Sequence, residues 1–192
     1  MKNILKIIIC LLTITANSQE GVEVPLNSLS FEHPNGTYIK DFNNIFQPYI
    51  GIWKGEKYGK ELILQFVKFT KQIITSPNGD YYYEDELMCK YQYKDITNNT
   101  IISTTMNAVN YEDYKILGLL KSLNGSYKFL FTDTVCYNTF DIIIENIPNI
   151  SNQLKYVAHY SDFWDSPNCT YTNREDIPIP IPFKINMVLT KQ

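Results

Sequence analysis

The sequence predicts an all-β fold, an antiparallel up-and-down β-barrel of about nine strands with a short N-terminal helix closing one end. Three observations predict it. Apolar and polar residues alternate with period two from residue 81 to near the C-terminus, the mark of a sheet with one wet face. Tyr58-Gly59, Asn78-Gly79 and Asn124-Gly125 fall between the alternating runs, where hairpin turns belong. The 192 residues include 15 Tyr and 10 Phe, side chains that suit a pleated, half-buried surface.

The chain opens with MKNILKIIICLLTITANSQE. Lys2 and Lys6 precede an apolar run from Ile7 to Leu12, and Ala16-Asn17-Ser18 offers small residues for cleavage. Residues 1–18 read as a signal peptide cut after Ser18. The apolar run is shorter than the roughly 20 residues a membrane span needs. Cys10 follows Ile9 and is itself followed by apolar residues, which does not fit a lipidated cysteine. The expected location is the periplasm or the cell exterior, with no membrane span.

Cleavage removes 18 of 192 residues and leaves 174, enough to bury a core without staples. Loss of Lys2 and Lys6 takes the formal net charge from −3 to −5. A mildly acidic chain is a poor match to a phosphate backbone, so nucleic acid is not an expected partner.

Residues 19–40 lack periodicity and read as an N-terminal arm, with a turn at HPNGTY, 33–38. In DFNNIFQPY, 41–49, Phe42, Ile45, Phe46 and Tyr49 fall at i, i+3, i+4 and i+7. That spacing predicts a short helix, capped by Asp41 and stopped by Pro48. The barrel domain spans 41–192. Its nine runs are 49–57, 60–70, 81–93, 99–107, 113–122, 126–132, 137–145, 153–161 and 181–190. A two-sheet sandwich is the alternative, but it would show longer crossover links. Ile177-Pro178-Ile179-Pro180-Ile181-Pro182 reads as a stiff extended lead into the last strand.

In meander register the links 71–80, 108–112, 133–136 and 162–180 fall at the end where the chain enters. The links 58–59, 94–98, 123–125 and 146–152 fall at the far end. Trp53 lies near the first of these ends, after Gly51. It is expected to plug the barrel floor, with Phe42, Phe46 and the helix as a lid.

Gly51 and Trp53 give the chain a Gly-x-Trp that resembles the first strand of the lipocalin and fatty-acid-binding superfamily. Thr132-Asp133 loosely echoes that family's Thr-Asp-Tyr, with Thr134 in place of the Tyr. The family's Arg over the Trp has no counterpart, and Lys191 is a poor substitute. A longer match covers more of the chain. PNGTYIKDFNNIFQPYIGIWKGE and YYYEDELMCKY resemble an exported flavobacterial family of unknown function. That resemblance implies export and a lipocalin-like barrel, and it brings no catalytic residues.

The chemistry the residues offer is sparse. His33 and His159 are the two histidines, and nothing in the sequence sets either beside a nucleophile or a metal-binding partner. No catalytic residue, metal site or cofactor is expected. Asp85 falls on the inner face among tyrosines, where it would hold a ligand's amine, act as an acid, or simply reach solvent near a strand end. Cys89, Cys136 and Cys169 remain after cleavage. Cys136 and Cys169 fall in links at the same end, which predicts their disulfide and a buried Cys89. Three reduced cysteines are the alternative, because only geometry settles bridging.

The inner face collects Trp53, Tyr83, Asp85, Tyr91, Tyr127, Phe129, Phe140 and Tyr156. Small barrels are filled by such side chains or hold one small ligand. The first expectation is therefore a non-catalytic barrel that binds a small, largely apolar molecule in its interior. The second is a protein-interaction module with a filled core and an exposed patch at 162–182, where Phe163, Trp164 and the Ile-Pro run cluster. An enzyme built on Asp85 ranks last.

Overall fold

The computed structural model describes residues 21–121, 126–132, 136, 138–163, 169–171 and 176–192. The expected signal peptide and Asn124-Gly125 lie outside the described residues. The period-two pattern resolves into eleven strands. They are β1 (Glu23–Pro25), β2 (Tyr38–Lys40), β3 (Gly51–Lys57), β4 (Lys60–Thr75), β5 (Tyr81–Asp95), β6 (Thr100–Thr104), β7 (Ile116–Lys121), β8 (Tyr127–Thr132), β9 (Asn138–Ile147), β10 (Ile150–Phe163) and β11 (Met187–Lys191).

Two compact units divide the chain. The first holds the segment to Phe42 and Lys71–Glu84, and the second holds Asn43–Thr70 and Asp85–Gln192. In the first unit β1 pairs with β2 in parallel, and β2 pairs in parallel with the start of β5 through Tyr38↔Tyr83 and Ile39↔Glu84. The arm expected at 19–40 is thus part of a small sheet, completed by the tip of the β4–β5 hairpin.

The second unit is a closed antiparallel barrel of eight strands, β3-β4-β5-β7-β8-β9-β10-β11. Contact between β5 and β7 runs through Met88↔Leu117 and Cys89↔Ile116. Closure comes from β11 on β3, with Thr190↔Lys54 and Lys191↔Trp53. Closure removes the unpaired edges that an open sheet would expose. The turns explain much of the register. Tyr58 and Gly59 both take positive φ, 51° and 72°, as a two-residue hairpin between Lys57 and Lys60 requires. Pro148-Asn149, with Asn149 at φ 63°, joins Ile147 to Ile150. Pro then positive φ is the pattern of a type II turn.

Three expectations need correction. The strand at 99–107 is not a stave of the barrel. Its core, β6, pairs beside the last residues of β5 and stands off the barrel path. The later strands therefore run in the opposite sense to the one expected, and their described ends swap. Cys136 and the described residues 176–186 lie at the Tyr58-Gly59 end, where Lys57 Nζ donates to the Asn186 carbonyl, while β9–β10 turns at the Trp53 end. The third correction concerns the helix at 41–49, which is a run of turns instead. Asn44 takes φ 51°, and the bonds Gln47 N–H to Asn44 O and Tyr49 N–H to Phe46 O close short loops. A left-handed residue interrupts the i→i+4 ladder, and Pro48 lacks a donor. The apolar face still forms, because Phe46 and Tyr49 are fully buried.

Candidate functional site

The interior of the barrel is built by alternate residues of each strand. Trp53, Leu62, Leu64, Phe66, Leu87, Cys89, Tyr91, Tyr127, Phe129, Phe131, Phe140, Ile142, Ile144, Leu154, Tyr156 and Leu189 are all buried. Their rings touch in series. Tyr49 meets Tyr127 at 5.6 Å, Tyr127 meets Phe129 at 4.8 Å, and Phe129 meets Phe66 at 5.1 Å between centroids. Further along, Tyr91 meets Phe131 at 5.6 Å, Phe131 meets Phe140 at 5.8 Å, and Phe140 stacks on Tyr160 at 4.8 Å. Edge-on, tilted and offset-stacked pairs at such separations are what aromatic rings favour. Gly55 shows how tight the wall is. A Cβ there would sit 2.6 Å from the Val188 carbonyl oxygen and 2.8 Å from Met187 Sδ.

Trp53 plugs the first end. It is fully buried, and its Nε1–H donates to the Tyr49 carbonyl at 2.6 Å. Lys191, from the last strand, holds Nζ 5.2 Å from the indole centroid. That is cation–π range. Gly51 makes room for it. Its φ of 123° is closed to most side chains, and a Cβ there would meet Lys191 Cε at 3.2 Å. Phe46 joins the plug through Tyr127 at 5.9 Å, and Asn146 Nδ2 donates to Tyr49 Oη at 3.2 Å. Burial pushes the Tyr49 phenol above its ordinary value, and the Asn146 bond opposes the shift. Phe42, expected in the lid, is half exposed.

At the opposite end Cys136 and Cys169 form the disulfide, 33 residues apart in sequence. Cys89 is a buried free thiol, and burial pushes its pKa well up. Tyr156 is fully buried, yet its hydroxyl donates to the Pro182 carbonyl at 2.8 Å. The Ile-Pro run is pinned through that bond. Outside it lies an open cleft of about 210 Å³ between β6 and the run, lined by Ile102, Ser103, Tyr171, Ile177, Pro178 and Ile179 among others. Ser103 Oγ also reaches Tyr91 Oη at 2.7 Å. Ile101, Ile102 and Ile179 are exposed. Trp164 lies outside the described residues.

The residues singled out from sequence thus fall into three groups. Trp53, Tyr91, Tyr127, Phe129, Phe140 and Tyr156 come together in the barrel. Tyr83 belongs to the first unit, half-buried, with Lys71 Nζ 5.4 Å from its ring. Asp85 is buried at 3% exposure and pairs with Lys68 Nζ at 3.0 Å. Lys68 also sits 5.7 Å from the Phe46 ring. Asp85 is therefore an ion-pair partner in the wall. His159 is exposed and His33 is half-buried. Among the described residues no three His, Cys, Asp or Glu side chains group as a metal site would require.

Sequence reasoning missed Lys68, Phe66 and a second cluster on the outside of the barrel. There Met88, Ala108 and Tyr114 pack with Val67, Phe69 and Tyr111. Tyr111 donates to Glu86, whose carboxyl is pushed up by burial against the pull of that bond. Met88 alternates along β5 with Glu84, Glu86 and Lys90, and its apolar character in that company is the signal that something covers the face.

The family described as "Family of unknown function (DUF6705)" matches residues 1–117. The chain belongs to this family. The DUF6705 match holds the blocks around Trp53 and Tyr81–Tyr91. It stops before Lys191, the disulfide and the Ile-Pro run. No curated protein and no solved structure matches the chain.

Proposed function

We propose that this protein is an exported, non-catalytic recognition module whose barrel is a scaffold with a side-chain-filled core. The observation that carries the reading is the series of ring-to-ring contacts that runs through the interior from Tyr49 to Tyr160. That packing favours a scaffold over a carrier of a small apolar ligand. Export is supported by the leader sequence and by the disulfide, a bond that persists in oxidising compartments. Among the described residues, no helix is long and apolar enough to cross a membrane. We read the barrel as lipocalin-like on three features: eight strands, Gly51-x-Trp53 in the first, and a cation from the last strand over the indole.

The recognition surface we assign is the cleft between β6 and Ile177–Pro180. Among the described residues β6 pairs with β5 alone, so it offers an edge to an extended polypeptide. Exposed isoleucines beside it give such a segment apolar contacts. A photo-crosslinking residue at position 102 tests this in the host. The expected result is a discrete protein adduct that is lost on Ile179→Asp and absent when the probe stands at position 128. No adduct, or equal adducts from both positions, refutes the assignment.

A further inference from the structure

The first unit carries a cleft of its own, independent of the barrel reading. It encloses about 350 Å³, within the usual range for small-molecule sites. Its chemistry is specific. Phe31 stands on it with 81% of its surface exposed, and Tyr81 stands on it at 39%. The same cleft is lined by Asp80, Asn35 and Asn78.

Asp80 is held from both sides. Asn35 Nδ2 donates to its Oδ1 at 3.2 Å and Asn78 Nδ2 to its Oδ2 at 2.6 Å. The amide oxygens are fixed in turn. Asn35 Oδ1 accepts the Tyr81 N–H at 3.0 Å, and Asn78 Oδ1 accepts the Asp80 N–H at 3.2 Å. The hairpin tip is closed by Ser76 N–H to Asp80 O at 2.8 Å and by Gly79 at φ 91°. The carboxylate is thus oriented before any ligand arrives. An ionised carboxylate has about four acceptor positions, so each oxygen keeps capacity after one amide bond.

The lining excludes other ligand classes. It contains His33 but no Lys or Arg, so an anionic ligand finds no lysine or arginine to pair with. Asp80 is its one carboxylate, which is too few hard ligands for a divalent cation. A wholly apolar ligand would strip water from Asp80 and the amides without replacing their bonds. What fits is a molecule with an apolar face and a rim of hydroxyls. A sugar ring has both: C–H faces that lie on an aromatic ring, and hydroxyls that donate to a carboxylate and pair with amides.

We propose that this cleft binds a neutral saccharide, with Phe31 as the stacking platform and Asp80, flanked by Asn35 and Asn78, as the hydroxyl partner.

The test is ligand-observed NMR and calorimetry on the full mature protein. The probes are glucose, galactose, mannose, N-acetylglucosamine and their linear β- and α-linked oligomers, with a sulfated oligosaccharide as the charged comparison. The expected result is saturable binding of at least one neutral probe at millimolar or lower concentration. Asp80→Asn weakens it roughly tenfold, the scale of one charge-assisted hydrogen bond. Phe31→Ala weakens it by several-fold or more, and its exposure means the fold does not depend on it, which circular dichroism checks. Ile150→Ala, at an exposed position in the other unit, leaves it unchanged. No neutral probe binding, binding indifferent to Phe31→Ala, or tighter binding of the sulfated probe each overturns the proposal.

Discussion

Phe129→Ala separates a filled barrel from a hollow one. Phe129 is fully buried, with the rings of Phe66 at 5.1 Å and Tyr127 at 4.8 Å. Truncating a packed phenylalanine costs about 3–5 kcal/mol, transfer and cavity terms together. Each ring pair adds about 0.5–1.5 kcal/mol beyond area burial. The two neighbours keep this site off the bottom of that range, at about 4 kcal/mol. In a chain of this size that lowers Tm by ~8–16 °C. The assay is urea unfolding under oxidising conditions, followed by circular dichroism and tryptophan emission. The variant should keep its slope against urea and shift its midpoint. It should also take up benzene, as a dry engineered cavity does, while the wild type does not. A ring that faced a pre-existing void would lack partners on that side and lose little on truncation. A cost below about 1 kcal/mol, or benzene binding by the wild type, refutes the filled core.

Replacing Cys136 and Cys169 together by serine should cost about 3–4 kcal/mol, from the loop entropy of a 33-residue separation. Equal unfolding midpoints with and without the bridge would contradict that. Lys191→Met keeps the apolar stem but removes the charge from the Trp53 ring. It should cost about 0.5–1 kcal/mol and shift the Trp53 emission, and an unchanged spectrum would remove Lys191 from the plug. Glu86→Gln tests the outer cluster through pH. Burial raises the folded pKa of Glu86 above its ordinary 4.5, so its contribution is fully present below that value and is lost as pH rises through the raised one. Wild-type stability minus that of the variant should therefore fall between acid and neutral pH. Asp95, held well below the usual carboxylate range by Lys60, changes in the opposite sense at lower pH and is common to both proteins. A flat or rising difference would refute the assignment.

The strands were legible because burial on one face imposes a period of two, and β8 shows it cleanly: Tyr127, Phe129 and Phe131 inward, Lys128 and Leu130 between them. Trp53 was legible as a plug because Gly51 admits a neighbour where other residues cannot. The cation supplied by Lys191 was undervalued. Sequence gave Lys191 no distance to Trp53, and only closure of β11 on β3 brings them together. The failures share a cause. The run at 99–107 alternates like a stave, yet β5 is 15 residues long and serves β7 with one part of its edge and β6 with another. Alternation cannot say which partner a strand takes. The disulfide survived this error because both cysteines shifted ends together. The helix failed on Asn44, whose left-handed φ no spacing rule reveals. The cleft beside Phe31 was invisible for a related reason: its residues come from 30–35 and 76–82, and only pairing of β2 with β5 brings those segments into one unit.

The central claim is that the barrel carries nothing inside. Native mass spectrometry of the mature protein, purified gently from its own host and compared with the denatured mass, tests it most directly. The account predicts the bare polypeptide mass, unchanged after incubation with host lipid extract. An added mass of a small apolar molecule that leaves on denaturation would contradict it and make the barrel a carrier.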